Sequence, residues 1–465
     1  MERPSVADRS ATAVRKVRRR LPSPRVGLRA RLRERLDLRD ALRLRSRFRR
    51  RRFLAFLAVL GPGLIAGVVG NDAGGITTYS VLGAQTGYGL LWLFPITIVV
   101  LAVVQEMAAR LGVVTGQGLS DLIRETFGVR WTLFAMVILL VANSANTVAE
   151  FAGASASLEL FGVSRLVTVP VVAVAIWALV LFSSYRLLER IFLSVSLVFL
   201  TYVAAAFVAR PAWGDVIHSF TTPSLVVPGV SLGTVLLLAV AVVGTTITPY
   251  MQFYLQSAVA EKGIDEEELG LEQADAIVGS VWTNVIAVFV VVATAAALFG
   301  SGITLQTAGQ AAEALRPVAG QFSETLFAIG LFGASVLAAT IMPISTAYVI
   351  CEAFGWESGV GKPFRQAPAF FGIYTFVLFV GAAILLLPGL DLIGMIVASQ
   401  YLQGLLLPVI LIFLYLLVND KRLLGEHVNG RWKNILAAVS IILVVLLDGA
   451  LIGVGLLGLV GVHVA

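Results

Sequence analysis

The chain holds one cysteine, Cys351, in 465 residues. A lone thiol excludes an intramolecular disulfide and any multi-cysteine metal or iron–sulfur site. Charge is also scarce: 14% of residues are Asp, Glu, Lys or Arg, against about 25% in soluble domains. Histidine occurs three times, at His218, His427 and His463, each in a predicted loop or at the terminus. No His-Glu-x-x-His run, paired intramembrane Asp or Ser–His arrangement is present, so an enzyme is not expected. What the chain has in abundance is apolar surface, with 58% hydrophobic residues and a mean hydropathy of +0.89. This composition excludes a soluble enzyme, a disulfide scaffold and a wholly disordered chain.

The net charge of +7 hides two parts. Residues 1–52 carry 20 of the 35 Lys and Arg residues and 5 of the 28 acids, so the body that follows is mildly acidic. The tail is not a secretory signal, because about fifty residues precede the first apolar stretch and many more stretches follow it. It reads as a basic cytoplasmic tail, either disordered or folded over 26–52 as an amphipathic helix on anionic lipid. No aromatic residues are interleaved for base stacking, so nucleic acid is not an expected partner.

A helix needs about 20 apolar residues to cross a bilayer. On that measure the body holds eleven candidate spans, near 53–83, 88–113, 131–160, 166–183, 191–209, 231–258, 274–299, 324–352, 369–387, 391–418 and 434–461. With the N-terminus cytoplasmic, the inside loops hold 12 basic residues beyond the tail. Only Arg165, Arg210 and Arg316 fall outside. The positive-inside rule therefore supports this span count with the N-terminus cytoplasmic and the C-terminus outside, and the expected location is a bacterial plasma membrane.

Two spans are interrupted at mid-depth. Span 1 carries Gly70-Asn71-Asp72-Ala73-Gly74-Gly75. Its glycines, Gly70 and Gly74 among them, favour an unwound backbone, and a carboxylate at that depth costs roughly 2.5–3.5 kcal/mol or more. Span 6 carries Gly244-Thr245-Thr246-Ile247-Thr248-Pro249-Tyr250, where Pro249 removes a backbone donor. Breaks in spans 1 and 6 predict two inverted five-span repeats, about 53–209 and 231–418, followed by an extra helix, about 434–461. This is the plan of a secondary transporter with its site between the breaks.

At these residues the sequence resembles the NRAMP family of divalent-metal transporters. GPGLIAGVVGNDAGG and LGAQTGYGLLW resemble the family's first helix and its extension into the second. AARLGVVTGQGLSDLIRE, NTVAEFAGASASLELFG, TITPYMQFYLQSAV and SQYLQGLLLPVILIFLYLLVNDKRLLGEHVNG resemble later segments. The resemblance implies an all-α polytopic membrane protein of LeuT-type fold, with alternating access to a central metal site. The departures are informative. The family's Asp-Pro-Gly-Asn is Asp72-Ala73-Gly74-Gly75 here, its span-6 Met and His are Thr248 and Tyr250, and its span-3 Asp-Leu-Ala-Glu is Thr147-Val148-Ala149-Glu150. This pattern resembles the NRAMP-related magnesium transporters.

The resemblance implies Asp72 as the firm ligand, with the backbone carbonyls of Val69 and Thr245. Thr248, Asn71, Tyr250 and Gln400 would act directly or through water, and Gln403 is a weaker candidate. Glu150 and Asn284 lie on the ion path or in helix packing. Replacing a thioether by a hydroxyl leaves oxygen ligands, suited to Mg²⁺, Ca²⁺ or Mn²⁺. Gly75 and Thr248 remove bulk, which predicts a wider cavity for a partly hydrated Mg²⁺. Loss of the His and the span-3 Asp predicts import without strict proton coupling. The expected partners are the divalent cation and membrane lipid, in a monomer with no cofactor. Three alternatives stand: a proton-coupled Mn²⁺/Fe²⁺ transporter with Met251 returning a thioether to the site, a LeuT-type carrier of organic solutes, and a non-transporting membrane sensor.

Overall fold

Hydrocarbon offers backbone N–H and C=O groups no partner, so an apolar run must close its hydrogen bonds within itself as a helix. Every regular element among the described residues is helical. The computed structural model describes residues 63, 70–182, 200–301, 305, 308–312, 316, 320 and 323–459. The basic tail, most of 53–69 including Val69, residues 191–199 of span 5, and His463 lie outside these residues.

The helices are α1 (Ala73–Thr86), α2 (Leu93–Thr115), α3 (Leu119–Phe127), α4 (Val129–Glu159), α5 (Arg165–Phe182), α6 (Leu200–Val208) and α7 (Trp213–Thr221). They continue as α8 (Leu232–Thr246), α9 (Pro249–Lys262), α10 (Leu269–Leu298), α11 (Ala308–Ala312), α12 (Ser323–Phe354), α13 (Pro368–Leu385), α14 (Leu392–Val418), α15 (Lys421–Leu424) and α16 (Arg431–Leu459). Nine spans among the described residues are long and apolar enough to cross a membrane, α8 and α9 counting as one. They match nine of the eleven expected. The other two, spans 1 and 5, are represented by α1 and α6.

Boundaries differ where a polar turn is helical. The expected span 7 began at 274, but α10 starts at Leu269, directly after a short 3-10 turn at Glu266–Glu268. Pro170, Pro343 and Pro408 sit inside α5, α12 and α14 without ending them. Asp391 caps α14 by accepting the Gly394 N–H at 3.1 Å.

The inverted repeat is visible in which helices touch. α4 packs on α12, and α2 on α10. Each of these pairs maps onto itself when the two halves exchange. α1 against α10 has its counterpart in α9 against α2, α4–α5 in α12–α13, α4–α13 in α12–α5, and α1–α12 in α9–α4. The breaks therefore meet in the middle of the bundle, flanked by α4, α10, α12 and α14.

Candidate metal centre

The two breaks are built alike. Asp72 is the N-cap of α1 and Thr248 the N-cap of α9, both with extended backbone. Each following half-helix is 14 residues long and ends at a glycine with positive φ, Gly87 and Gly263. Thr248 thus occupies in the second repeat the place that Asp72 occupies in the first. A helix N-terminus presents unpaired N–H groups and a partial positive charge, which favour a carboxylate. Asp72 Oδ1 accepts the Gly75 N–H at 2.6 Å. Glu150, from α4, accepts the Ala73 N–H at 3.2 Å. Both carboxylates are buried on the same half-helix end. Thr248 makes no such cap, and its hydroxyl has no partner.

Pro249 explains the second break in detail. In a continuous helix the Thr245 carbonyl would bond the N–H of residue 249, and a proline has none. The last carbonyl groups of α8 are left free beside Thr248. Ile247 closes the helix by donating to the Val243 carbonyl at 2.9 Å.

Asn146 is the hub that joins four helices. Its Nδ2 donates to Asp72 Oδ2 at 3.4 Å and lies 2.8 Å from Met342 Sδ on α12. Its Oδ1 accepts from Gln400 Nε2 and, at 3.2 Å, from Ser399 Oγ on α14. The amide of Gln400 is thereby oriented, and its Oε1 is left without a partner. These bonds bridge α4 to α1, α12 and α14. Asn146 also positions two of the candidate ligands, Asp72 and Gln400.

Close backbone approaches hold these groups together. A Cβ at Gly74 would stand 2.0 Å from Gln400 Nε2, and one at Gly244 would stand 2.1 Å from the Gln400 carbonyl oxygen. Asn71 donates to Thr283 Oγ1 on α10 at 2.9 Å. Tyr79 and Thr246 link the half-helices through their hydroxyls at 2.9 Å.

The result is a set of fully buried oxygens with no hydrogen-bond partner: Asn71 Oδ1, Glu150 Oε1, Thr245 Oγ1, Thr248 Oγ1, Tyr250 Oη and Gln400 Oε1. Both amide atoms of Gln403, one turn from Gln400, are also unpartnered. Buried polar atoms are rarely left so. Elsewhere, an apolar cavity of about 250 Å³ lies behind the second break, lined by Thr97, Val243, Ile247 and Leu447 among others. Its lining does not suit an ion.

Asn284 is committed to packing: its Oδ1 accepts from Thr97 at 2.7 Å and its Nδ2 donates to the Ser280 carbonyl at 2.9 Å. The bulk expected to be missing at Gly75 is not an empty space, since a Cβ there would lie 2.5 Å from the Gly70 carbonyl oxygen. The backbone has folded into the room an asparagine would need. Met251 is buried on α9, and the thioether that reaches the Asn146 hub is instead Met342.

Comparison with known proteins agrees with this fold. A divalent metal cation transporter MntH from Caldanaerobacter subterraneus subsp. tengcongensis is 26% identical over 414 residues, covering 87% of this chain and 94% of its own. The MntH of Klebsiella pneumoniae strain 342 is 27% identical over 409 residues, covering 86% and 95%. Among solved structures, a mutant manganese transporter of Eremococcus coleocola superposes with a TM-score of 0.72 at 21% identity, covering 88% of this chain and 89% of that one. Mhp1, a nucleobase-cation-symport-1 family transporter, shares the fold at a TM-score of 0.53. The natural resistance-associated macrophage protein-like family matches residues 63–453, and the chain belongs to that family.

Proposed function

We propose that this protein is a membrane transporter that imports divalent metal cations by alternating access, with Mg²⁺ as its main substrate and Mn²⁺ as a second. The observation that carries this reading is the set of unpartnered buried oxygens around the two half-helix ends, on Asn71, Glu150, Thr245, Thr248, Tyr250 and Gln400. They stand with the carboxylate of Asp72. An all-oxygen set with carboxylates suits a hard cation. The relatives, named as divalent metal cation transporters, support the coarser reading. For this chain, Asp72 supplies the fixed charge. Gln400, oriented by Asn146, offers a carbonyl oxygen, and Thr248 offers a hydroxyl. Mg²⁺ keeps several waters, and water would bridge the ion to those oxygens that do not reach it. Val69, outside the described residues, keeps its proposed place as a carbonyl ligand.

Import without strict proton coupling is supported by what surrounds the site. Thr147 commits its hydroxyl to the Asn143 carbonyl at 2.7 Å. Its methyl faces Gly381, where an added Cβ would be 2.8 Å away. His218 lies on the exposed helix α7, and His427 in a surface turn. A second reading, a proton-coupled Mn²⁺/Fe²⁺ transporter, draws on Met342, whose soft sulfur meets Asn146 beside Asp72.

The test is uptake by purified protein in liposomes. Mg²⁺ influx, competed by Mn²⁺ and Ca²⁺, without acidification of the lumen is the expected result. Influx of Mn²⁺ alone, or acidification in fixed proportion to the metal, would overturn the Mg²⁺ or the uncoupled assignment respectively.

A further inference from the structure

At the end of the bundle where α9 turns into α10, the buried acids Glu106 and Glu352 and the more exposed Glu261 all have hydrogen-bond donors. Glu106 accepts from Arg110 at 3.1 Å, Lys433 at 2.8 Å and Gln273 at 2.7 Å. Glu352 accepts from Ser257 at 2.5 Å and from the Ser120 N–H at 3.3 Å. Glu261 accepts from Tyr348 and from the Gly361 N–H. Glu272, in the first turn of α10, is the exception at this end among the described residues. It is 0% exposed, and neither carboxylate oxygen has a partner.

Asp275 lies one turn further along the same buried face, and its charge acts directly on Glu272. Glu268 adds a third negative charge and Lys262 one positive, so the balance at Glu272 is negative. Asp275 Oδ2 accepts the N–H of Gly63 at 2.8 Å. Gly63 rests so closely on α10 that a Cβ there would meet the Ala276 nitrogen at 2.5 Å. The buried face of α10 then continues through Ser280 and Thr283. Thr283 holds Asn71, the neighbour of Asp72. Glu272 and Thr283 are eleven residues apart, about 16 Å along the helix axis. One polar stripe thus joins the central site to an unpartnered buried carboxylate at the mouth of the bundle.

We propose that Glu272 and Asp275 form a second divalent-cation site, which receives the ion after it leaves Asp72. An unpaired buried carboxylate costs several kcal/mol, and a cation removes that cost. Two carboxylates, one on each of two successive turns, supply hard oxygen ligands with open positions for water. Only the description of this site as a way station rests on the transport reading. The binding itself does not.

The test is equilibrium dialysis of purified full-length protein against Mn²⁺. Wild type is expected to bind two equivalents per chain, Asp72→Ala one, and Asp72→Ala with Glu272→Gln none. Loss of all binding in Asp72→Ala, or a remaining equivalent that survives Glu272→Gln, would overturn the proposal. Retention of two equivalents in Asp72→Ala, with one lost in Glu272→Gln alone, would uphold this site and overturn the central assignment. If Glu272→Gln does not fold, Asp275→Asn in the Asp72→Ala background must lose the remaining equivalent for the proposal to stand.

Discussion

Asp72 carries the only charge that caps α1 from within its own break, and it touches both the Gly75 N–H and Asn146. Asp72→Ala is expected to abolish metal uptake while the protein still runs as a folded species on size exclusion. Removing a cap costs about 1 kcal/mol, too little to unfold a bundle of this size. Asn146→Ala should act through Gln400. It frees the Gln400 amide, so uptake should fall with a raised KM, while Asn146→Asp, which sets a second carboxylate against Asp72, should be worse than Asn146→Ala. Equal KM values for the wild type and Asn146→Ala would refute the positioning role. Thr248→Met returns a thioether to the N-cap of α9 and should shift competition toward Mn²⁺. Met342→Leu should shift it the other way if the second reading holds. Of these residues, Asp72 and Thr248 were legible in the sequence, because each stands in an interruption of an apolar run. Asn146 and Met342 were not, because their roles depend on how α4 and α12 are rotated against each other. Periodicity says which face is apolar, and says nothing of which partner a buried amide will meet.

At the scale of elements, crossings without side chains set the geometry. α8 and α14 touch backbone to backbone: a Cβ at Gly244 meets the Gln400 carbonyl at 2.1 Å, and one at Gly404 meets the Val240 carbonyl at 2.6 Å. Neither obstacle is a flexible side-chain tip that can swing aside. Gly244→Ala should therefore separate the two helices and lower stability by about 1–3 kcal/mol, as overpacking does. It should lower uptake as well, since Gln400 moves with α14. A thermal melt in detergent, with uptake measured beside it, checks both. Asp448 makes the opposite case. It lies on the buried face of α16, and neither of its oxygens has a partner. Asp448→Leu removes an unsatisfied group worth about 1–3 kcal/mol, so the melting temperature should rise. The spans themselves were legible from length and hydropathy. The short helices were not. α3 and α7 are too short to cross a membrane and too mixed in polarity to register as apolar runs, and their helicity follows from packing at the ends of the bundle.

The whole molecule places one acidic centre between two repeats that differ at the equivalent position, Asp72 in one and Thr248 in the other. The inverted plan was legible from the two interruptions alone, because a break in spans 1 and 6 leaves little other arrangement. Which contacts pair under exchange, such as α1–α10 with α9–α2, came only with the three-dimensional packing. The charge moved per cycle decides how the transporter responds to a membrane potential. A divalent ion moved alone carries two charges, so each 100 mV contributes about 4.6 kcal/mol, twice the single-charge value. At equilibrium, accumulation should then rise tenfold for every ~30 mV of inside-negative potential. Co-transport of one proton would make the step tenfold per ~20 mV and add a dependence on the pH gradient. Liposomes clamped with a potassium gradient and valinomycin separate the two. The uncoupled assignment expects a ~30 mV slope that is unchanged when a pH difference is imposed across the membrane. A steeper slope that moves with external pH would place a proton on the same path as the metal. Asp72 and Glu150, the two carboxylates on the N-terminal end of α1, would then be the groups to carry it.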